Sequence, residues 1–426
     1  MREMKDSGIE WIGQIPKGWE LRRAKTLFTQ RNSKGNGIEV LLSPTQKYGV
    51  VPQSQLEGVV QVKEDTDLQM FKTVHKGDFV ISLRSFQGGF EYSLYEGVCS
   101  PAYQVFYPTS PICDTYYRYL FKSQSFISKM NNLTVGIREG KNIQYVDFAN
   151  SQIPVPPLAE QKRIVTFLDA QCAEIDTVLE KTRASIEEYK KLKQAVITQA
   201  VTKGIRGDRP MKNSGIEWIG EIANEFAVYK FKYLLKTPMQ YGANEAGITF
   251  DKTLPRYIRI TDITSDGRLK QDNRLCIEDT VAKPYILQDG DLLFARSGGT
   301  VGKSFLYKQS YGNAAFAGYL IRAVVNRTIA VPEYVYYYTN SSIYDTWKNS
   351  IFIQSTIQNI GADRYSNMPI IVPNNIEEQR SIVEYLNERC VGIDALIRKK
   401  QQYLTEIENY KKSLIYEYVT GKKEVV

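Results

Sequence analysis

IPVPPLAEQKRIVTFLDAQCAEIDTVLEKTRASIEEYKKLKQAVITQAVTKG fills residues 153–204, and residues 370–422 read IIVPNNIEEQRSIVEYLNERCVGIDALIRKKQQYLTEIENYKKSLIYEYVTGK. Setting Glu160 on Glu378 aligns the two without a gap as far as Thr202 on Thr420. Each copy opens with a proline-bearing extended run and passes through Glu-Gln. About forty residues follow without proline and nearly without glycine, which predicts a long helix. Its apolar positions, Val165, Leu168, Cys172, Ile175, Leu179, Thr182, Ile186, Tyr189, Lys193, Val196 and Ala200, advance by alternating threes and fours. That is the seam of a coiled coil. The second copy repeats it from Val383 to Tyr418, and both seams break at equivalent places, Thr182/Lys400 and Lys193/Lys411. Such a helix, at about 1.5 Å per residue, extends roughly 60 Å, too far to cover one compact domain. The two helices are therefore expected to pair antiparallel, with the polar breaks fixing register or orientation.

A second repeat frames the first. MKDSGIEWIGQI at residues 4–15 returns as MKNSGIEWIGEI at residues 211–222, with only Asp6/Asn213 and Gln14/Glu221 differing. The chain is a duplication. It divides into a first head (residues 1–152), a spacer helix (153–204), a linker (205–213), a second head (214–369) and a second spacer helix (370–426). The linker, within KGIRGDRPMKN, carries the glycine, proline and mixed charge of a boundary.

Composition narrows the function. The opening MREMKDSGIEWIG lacks the apolar core of a signal peptide, and no apolar run is long enough for a bilayer. A cytoplasmic protein without membrane association is expected. Five cysteines without C-x-x-C spacing argue against a zinc ribbon, and the single histidine, His75, excludes most His-dependent catalysis. Of the net charge of +8, most sits in the heads: 16 basic against 12 acidic residues over 14–152, and 17 against 14 over 221–369. A polyanionic partner is indicated.

Inside the heads, YIRITDI (257–263), DLLFARS (291–297) and DFVISLRS (78–85) have the composition of strands, whereas residues 115–130 and 332–347 are helical in pattern. Each head is thus mixed α/β. Both place a Gly-Asp turn before a strand that ends in Arg-Ser and a glycine-rich loop: GDFVISLRSFQGG (77–89) and GDLLFARSGGTVGK (290–303). SGGTVGKS (297–304) nearly fits a P-loop, but Ser297 replaces the first glycine and FLYKQSYG after it reads as a strand rather than a helix. The loops suit DNA better: glycines admit phosphate close to backbone N–H groups, and arginine reaches phosphate or the guanine edge. A plain hairpin with an ion-paired arginine is the other reading.

SGIEWIGQIPKGWELRRAKTLF at the start, VPPLAEQKRIVTFLD entering a long helix, and the return of both elements resemble the specificity subunits of type I restriction-modification enzymes. The resemblance covers essentially the whole chain, although ANEFAVYKF follows Ile222 where the first copy has PKGWELRRA. It implies an α+β architecture of two target-recognition domains with pseudo-two-fold symmetry, separated by two long helices paired as an antiparallel coiled coil that acts as a ruler. It implies recognition of an asymmetric bipartite site in double-stranded DNA. The implied partners are two methyltransferase subunits and restriction/translocase subunits. Catalysis, with S-adenosylmethionine, ATP and Mg, would reside in those partners, and no cofactor, metal or catalytic residue is assigned here.

Candidate DNA contacts are Arg84, Ser85 and Gln87 in the first head and Arg296, Ser297 and Lys303 in the second. Arg138, Lys141 and Asn142, with Gln358 and Asn359 in the second head, lie in polar segments just before the repeated framework. The alternatives are a duplicated DNA-binding regulator without enzyme partners and a self-contained nuclease. The sequence has no N/D-P-P-Y/F tetrapeptide, no complete P-loop and no convincing carboxylate cluster.

Overall fold

The computed structural model describes residues 2–35, 40–56, 68–83, 85–133, 143–264, 267–353 and 358–425. They form two compact units, Met1–Arg183 with Gln402–Val426, and Ala184–Gln401. The division cuts across the segments of the sequence, because each unit combines one head with half of each long helix. The helices span Leu158–Lys203 and Ile376–Val419. Pro156 and Pro157 stop the extended run before the first helix. The helices are closed by Gly204 (φ +75°) and by Gly421 (φ +71°), in the left-handed conformation that a side chain disfavours.

All the predicted seam positions are buried or half-buried. In the first unit Phe167 packs on Tyr418 at 4.4 Å, Asp176 binds Lys411 at 2.6 Å and Arg183 binds Glu408 at 2.6 Å. One helix ascends as the other descends, so the segments run antiparallel. The second unit has the same direction, with Lys400 5.7 Å from the Tyr189 ring centroid and Lys193 2.7 Å from Asp394. Lys193–Asp394 and Asp176–Lys411 are one pairing made twice by equivalent residues. The polar breaks at Lys193 and Lys411 are thus ion pairs between helices, whereas Lys400 lies over an aromatic ring. Thr182, the remaining break in the first helix, turns its hydroxyl back to Val178 O at 2.7 Å.

The first head is built on a four-stranded antiparallel sheet in the order Phe28–Arg31, Gln104–Pro108, Phe79–Ile81, Glu91–Tyr92. The second uses Gln240–Tyr241, Leu320–Ala323, Leu292–Ala295, Ser304–Leu306 in the corresponding order. It adds another four-stranded sheet, in which Arg256–Ile258 runs parallel to Ala314–Phe316. The predicted helical patches are each two helices: Asp114–Leu120 and Gln124–Leu133, then Pro332–Tyr338 and Ser342–Ile353. YIRITDI is only partly strand. After Arg256–Ile258 the chain makes a 3-10 turn at Ile260–Asp262, because the Asp262 carboxylate accepts the Arg259 N–H at 2.8 Å and pairs with its guanidinium.

The SGIEWIG repeats are hairpin loops. Met4–Asp6 pairs with Gln14–Pro16, and Met211–Asn213, the end of the predicted linker, pairs with Glu221–Ala223. Residues flanking the hairpins lock head to helix. Glu160 binds Arg2 at 2.7 Å and accepts the Trp19 indole N–H at 2.9 Å. In the second unit Glu378 lies 2.7 Å from Arg209, off the hydrogen-bonding direction, and Arg209 stacks on Phe226 at 5.4 Å. Phe226 stands where the first copy has Trp19, so the altered wording after Ile222 keeps the aromatic and loses its donor. The next residue of each helix, Gln161 or Gln379, accepts the backbone N–H of Cys113 or Val331 at 2.8 and 2.9 Å. Buried tyrosines complete each joint: Tyr116 donates to Val419 O at 2.6 Å, and Tyr334 to Val201 O at 3.2 Å.

Candidate nucleic-acid interface

In the second head the strand Leu292–Ala295 leads to Arg296, and a 3-10 turn at Gly298–Thr300 returns the chain to Ser304–Leu306. This is a hairpin between antiparallel strands, without the helix a P-loop requires. Arg296 N–H donates to Tyr319 O at 3.0 Å, and Arg296 O accepts Ile360 N–H at 2.9 Å. Ser297 forms an antiparallel bridge with Asn359. Two predicted clusters far apart in sequence, Arg296/Ser297 and Gln358/Asn359, are therefore side by side.

The loop rests on buried tyrosines. Tyr365 donates to Ala295 O at 2.9 Å and Tyr344 to Gly302 O at 2.5 Å. Burial raises both phenols above their ordinary range, so they remain donors at any physiological pH. Above this base, the Arg296 guanidinium lies 5.1 Å from the Tyr241 ring centroid, and the Tyr241 hydroxyl accepts Ala362 N–H at 3.0 Å. Tyr241 and Tyr319 are exposed, as are Gln358 and Lys303. Among the described residues no carboxylate makes a salt bridge with Arg296 or Lys303. Asn359 is half-buried, and its Oδ1, like Thr300 Oγ1, is enclosed without a hydrogen-bond partner among the described residues. The arrangement offers a planar, permanently charged donor fork on an aromatic face, beside an exposed amide. Paired acceptors such as guanine O6 and N7, or phosphate oxygens, fit such a group.

The first head places its candidates differently. Arg84, Arg138, Lys141 and Asn142 lie outside the described residues. Ser85–Gly88 is a helical turn rather than an open glycine-rich loop, because Ser85 is buried and its Oγ accepts Ser82 N–H at 2.8 Å. Gln87 is exposed, with its Oε1 3.4 Å from Gln46 Nε2.

Both Gly-Asp turns prove structural. Asp78 and Asp291 accept the N–H groups of His75 and Gln288 and face Arg31 at 2.8 Å and Arg322 at 3.7 Å. Burial pushes the Asp291 carboxyl up from its ordinary value. The ion-paired arginine of the plain-hairpin reading thus exists, but as Arg31 and Arg322 rather than Arg296. Tyr241, Tyr319, Tyr344 and Tyr365 were missed because they reach the loop from separate segments. Among the described residues no group of three potential metal ligands occurs, and no helix is long and apolar enough to cross a membrane.

The family model described as type I restriction modification DNA specificity domain matches twice, at residues 16–188 and 256–408. The chain belongs to this family. The first match takes in nearly all of the first head and the second starts within the second head, and each runs into the helix that follows. Among curated relatives, the type I restriction enzyme EcoKI specificity subunit of Escherichia coli is 25% identical over 322 residues, 74% of this chain and 67% of that protein. The MjaVIII specificity subunit of Methanocaldococcus jannaschii is 25% identical over 295 residues, 67% of this chain and 66% of that protein. The chain thus spans about two thirds of the length of these relatives. A solved chain from work on complex assembly and conformational transition of the type I R-M system superposes with a TM-score of 0.66 at 15% identity, covering 96% of this chain and 99% of that one. That likeness is one of fold.

Proposed function

We propose that this chain is the DNA-reading specificity subunit of a type I restriction-modification enzyme, with each head reading one half of an asymmetric bipartite site. The observation that carries the reading is the family match on each repeat, joined to a half-buried arginine beside an exposed amide and aromatic surface in the second head. The heads share a framework yet differ in loop and sheet content, so two unlike half-sites are expected. The chain would hold double-stranded DNA and recruit two methyltransferase subunits and restriction/translocase subunits in the cytoplasm. S-adenosylmethionine, ATP and Mg would serve those subunits.

Methyl transfer from S-adenosylmethionine to DNA, assayed with this chain alone and with its methyltransferase partner, tests the reading. Sequence-specific transfer is expected only with the partner. DNA cleavage or methylation by the isolated chain would sink it. Exchanging residues 14–152 for the first head of another family member should change one half-site and leave the other intact, as read by methylome sequencing.

A further inference from the structure

We propose that Tyr241 is the positioning residue for Arg296, holding it for a guanine in the half-site read by the second head. The inference rests on that head being a DNA-reading surface. Tyr241 is 42% exposed at the end of an edge strand, so its ring is open to a partner from outside the head. One face carries the Arg296 guanidinium at 5.1 Å, and the hydroxyl accepts the Ala362 N–H at 3.0 Å. One side chain therefore ties together the segments that present Arg296 and Gln358.

The backbone leaves Tyr241 little freedom. It pairs with Ile321, and a Cβ on the next residue, Gly242, would stand 2.4 Å from Phe316 O and Ala317 O. That strand is pressed against its neighbour as only glycine allows. Arg296 also differs from other arginines of this head. Arg259 and Arg327 give donors to the carboxylates of Asp262 and Asp289, and Arg322 gives its donors to Ile286 O and Gln240 Oε1, whereas Arg296, like Arg274 over Phe250, has a ring in place of a carboxylate. A stacked guanidinium keeps its hydrogen-bonding edge free while its stem is ordered in advance, so less rotamer entropy is lost on contact. A planar fork held in this way matches the O6 and N7 pair of guanine better than a single phosphate oxygen.

The test uses the complex with the methyltransferase partner and duplexes in which each base pair of both half-sites is varied in turn. Tyr241→Leu should reduce discrimination at one G·C pair of the second half-site by about two- to fivefold, the range of an exposed cation–π contact. The first half-site and the salt dependence should be unchanged. Tyr241→Phe, which keeps the ring, should lose less. Arg296→Lys, which keeps charge but not the fork, should relax the same base pair by about fivefold or more. If Arg296→Lys relaxes that pair while Tyr241→Leu does not, the positioning role is wrong and the reading surface stands. Were Arg296→Lys to leave every base pair of that half-site unaffected, the surface itself would be misassigned. Equal weakening at all base pairs by Tyr241→Leu would make the ring structural and overturn the inference.

Discussion

Glu91 shows what burial does to one residue. Its carboxylate lies in the strand Glu91–Tyr92, 2.5 Å from Lys122 Nζ, yet its second oxygen is enclosed and finds no partner among the described residues. Desolvation outweighs the lysine and raises the carboxyl to about 7. The native state thus binds a proton that the unfolded chain has released, and the stability this contributes is complete below about pH 4.5 and lost as pH rises through about 7. Glu91→Gln should remove that dependence, so the variant's melting temperature should gain on the parent's between about pH 5 and pH 8. A constant difference across that range would mean that Glu91 does not titrate there. None of this was legible in EYSLYEG, where Glu91 reads as an ordinary strand-edge charge. The place of Arg296 at the end of a strand, by contrast, was legible, because a Gly-Asp turn, an apolar strand and a glycine-rich loop lie within a few residues. Its tyrosine supports were not, since contacts between distant segments leave no local pattern.

At the scale of elements, the helices were the most legible part of the chain. Their seam is periodic over eleven positions, and its breaks at Lys193 and Lys411 stood out against it. The partners of those lysines were hidden, because Asp176 and Asp394 each sit one residue beyond the seam, among other charges. Both pairs are partly exposed, so each contributes modestly. In the second unit Asp394→Lys should destabilise by about 1 kcal/mol, as two lysines are set face to face. The double exchange Lys193→Asp with Asp394→Lys should recover most of that loss in urea unfolding. Failure of the exchange to rescue would show that the pair does not interact across the helices. Short strands were less legible than the helices: YIRITDI has strand composition throughout, but a single carboxylate at Asp262 diverts it into a turn.

At the scale of the whole molecule, duplication was legible from two quotations of the same words, whereas the division into compact units was not. Sequence repeats mark what was copied, and compactness depends on which surfaces are buried together. Leu414 and Val419 belong to the core of the first unit, with Trp19, Tyr116 and Leu168. Ile197 and Val201 belong to the core of the second, with Phe226, Tyr334 and Leu386. Removing residues 402–426 should therefore destabilise the first unit and spare the second. Limited proteolysis would show early cleavage within residues 1–183 and a protected 184–401; equal resistance of both would contradict this division.

The Tyr116 hydroxyl that closes on Val419 O bridges 303 positions of the chain. On a ribosome adding about 5–20 residues per second, that interval lasts roughly 15 to 60 seconds. The first head emerges long before the helix turn that seals its core, while everything the second unit needs has been made by residue 401. The unit begun first is finished last, and during translation its apolar floor must wait uncovered until the last turn of the second helix has been made.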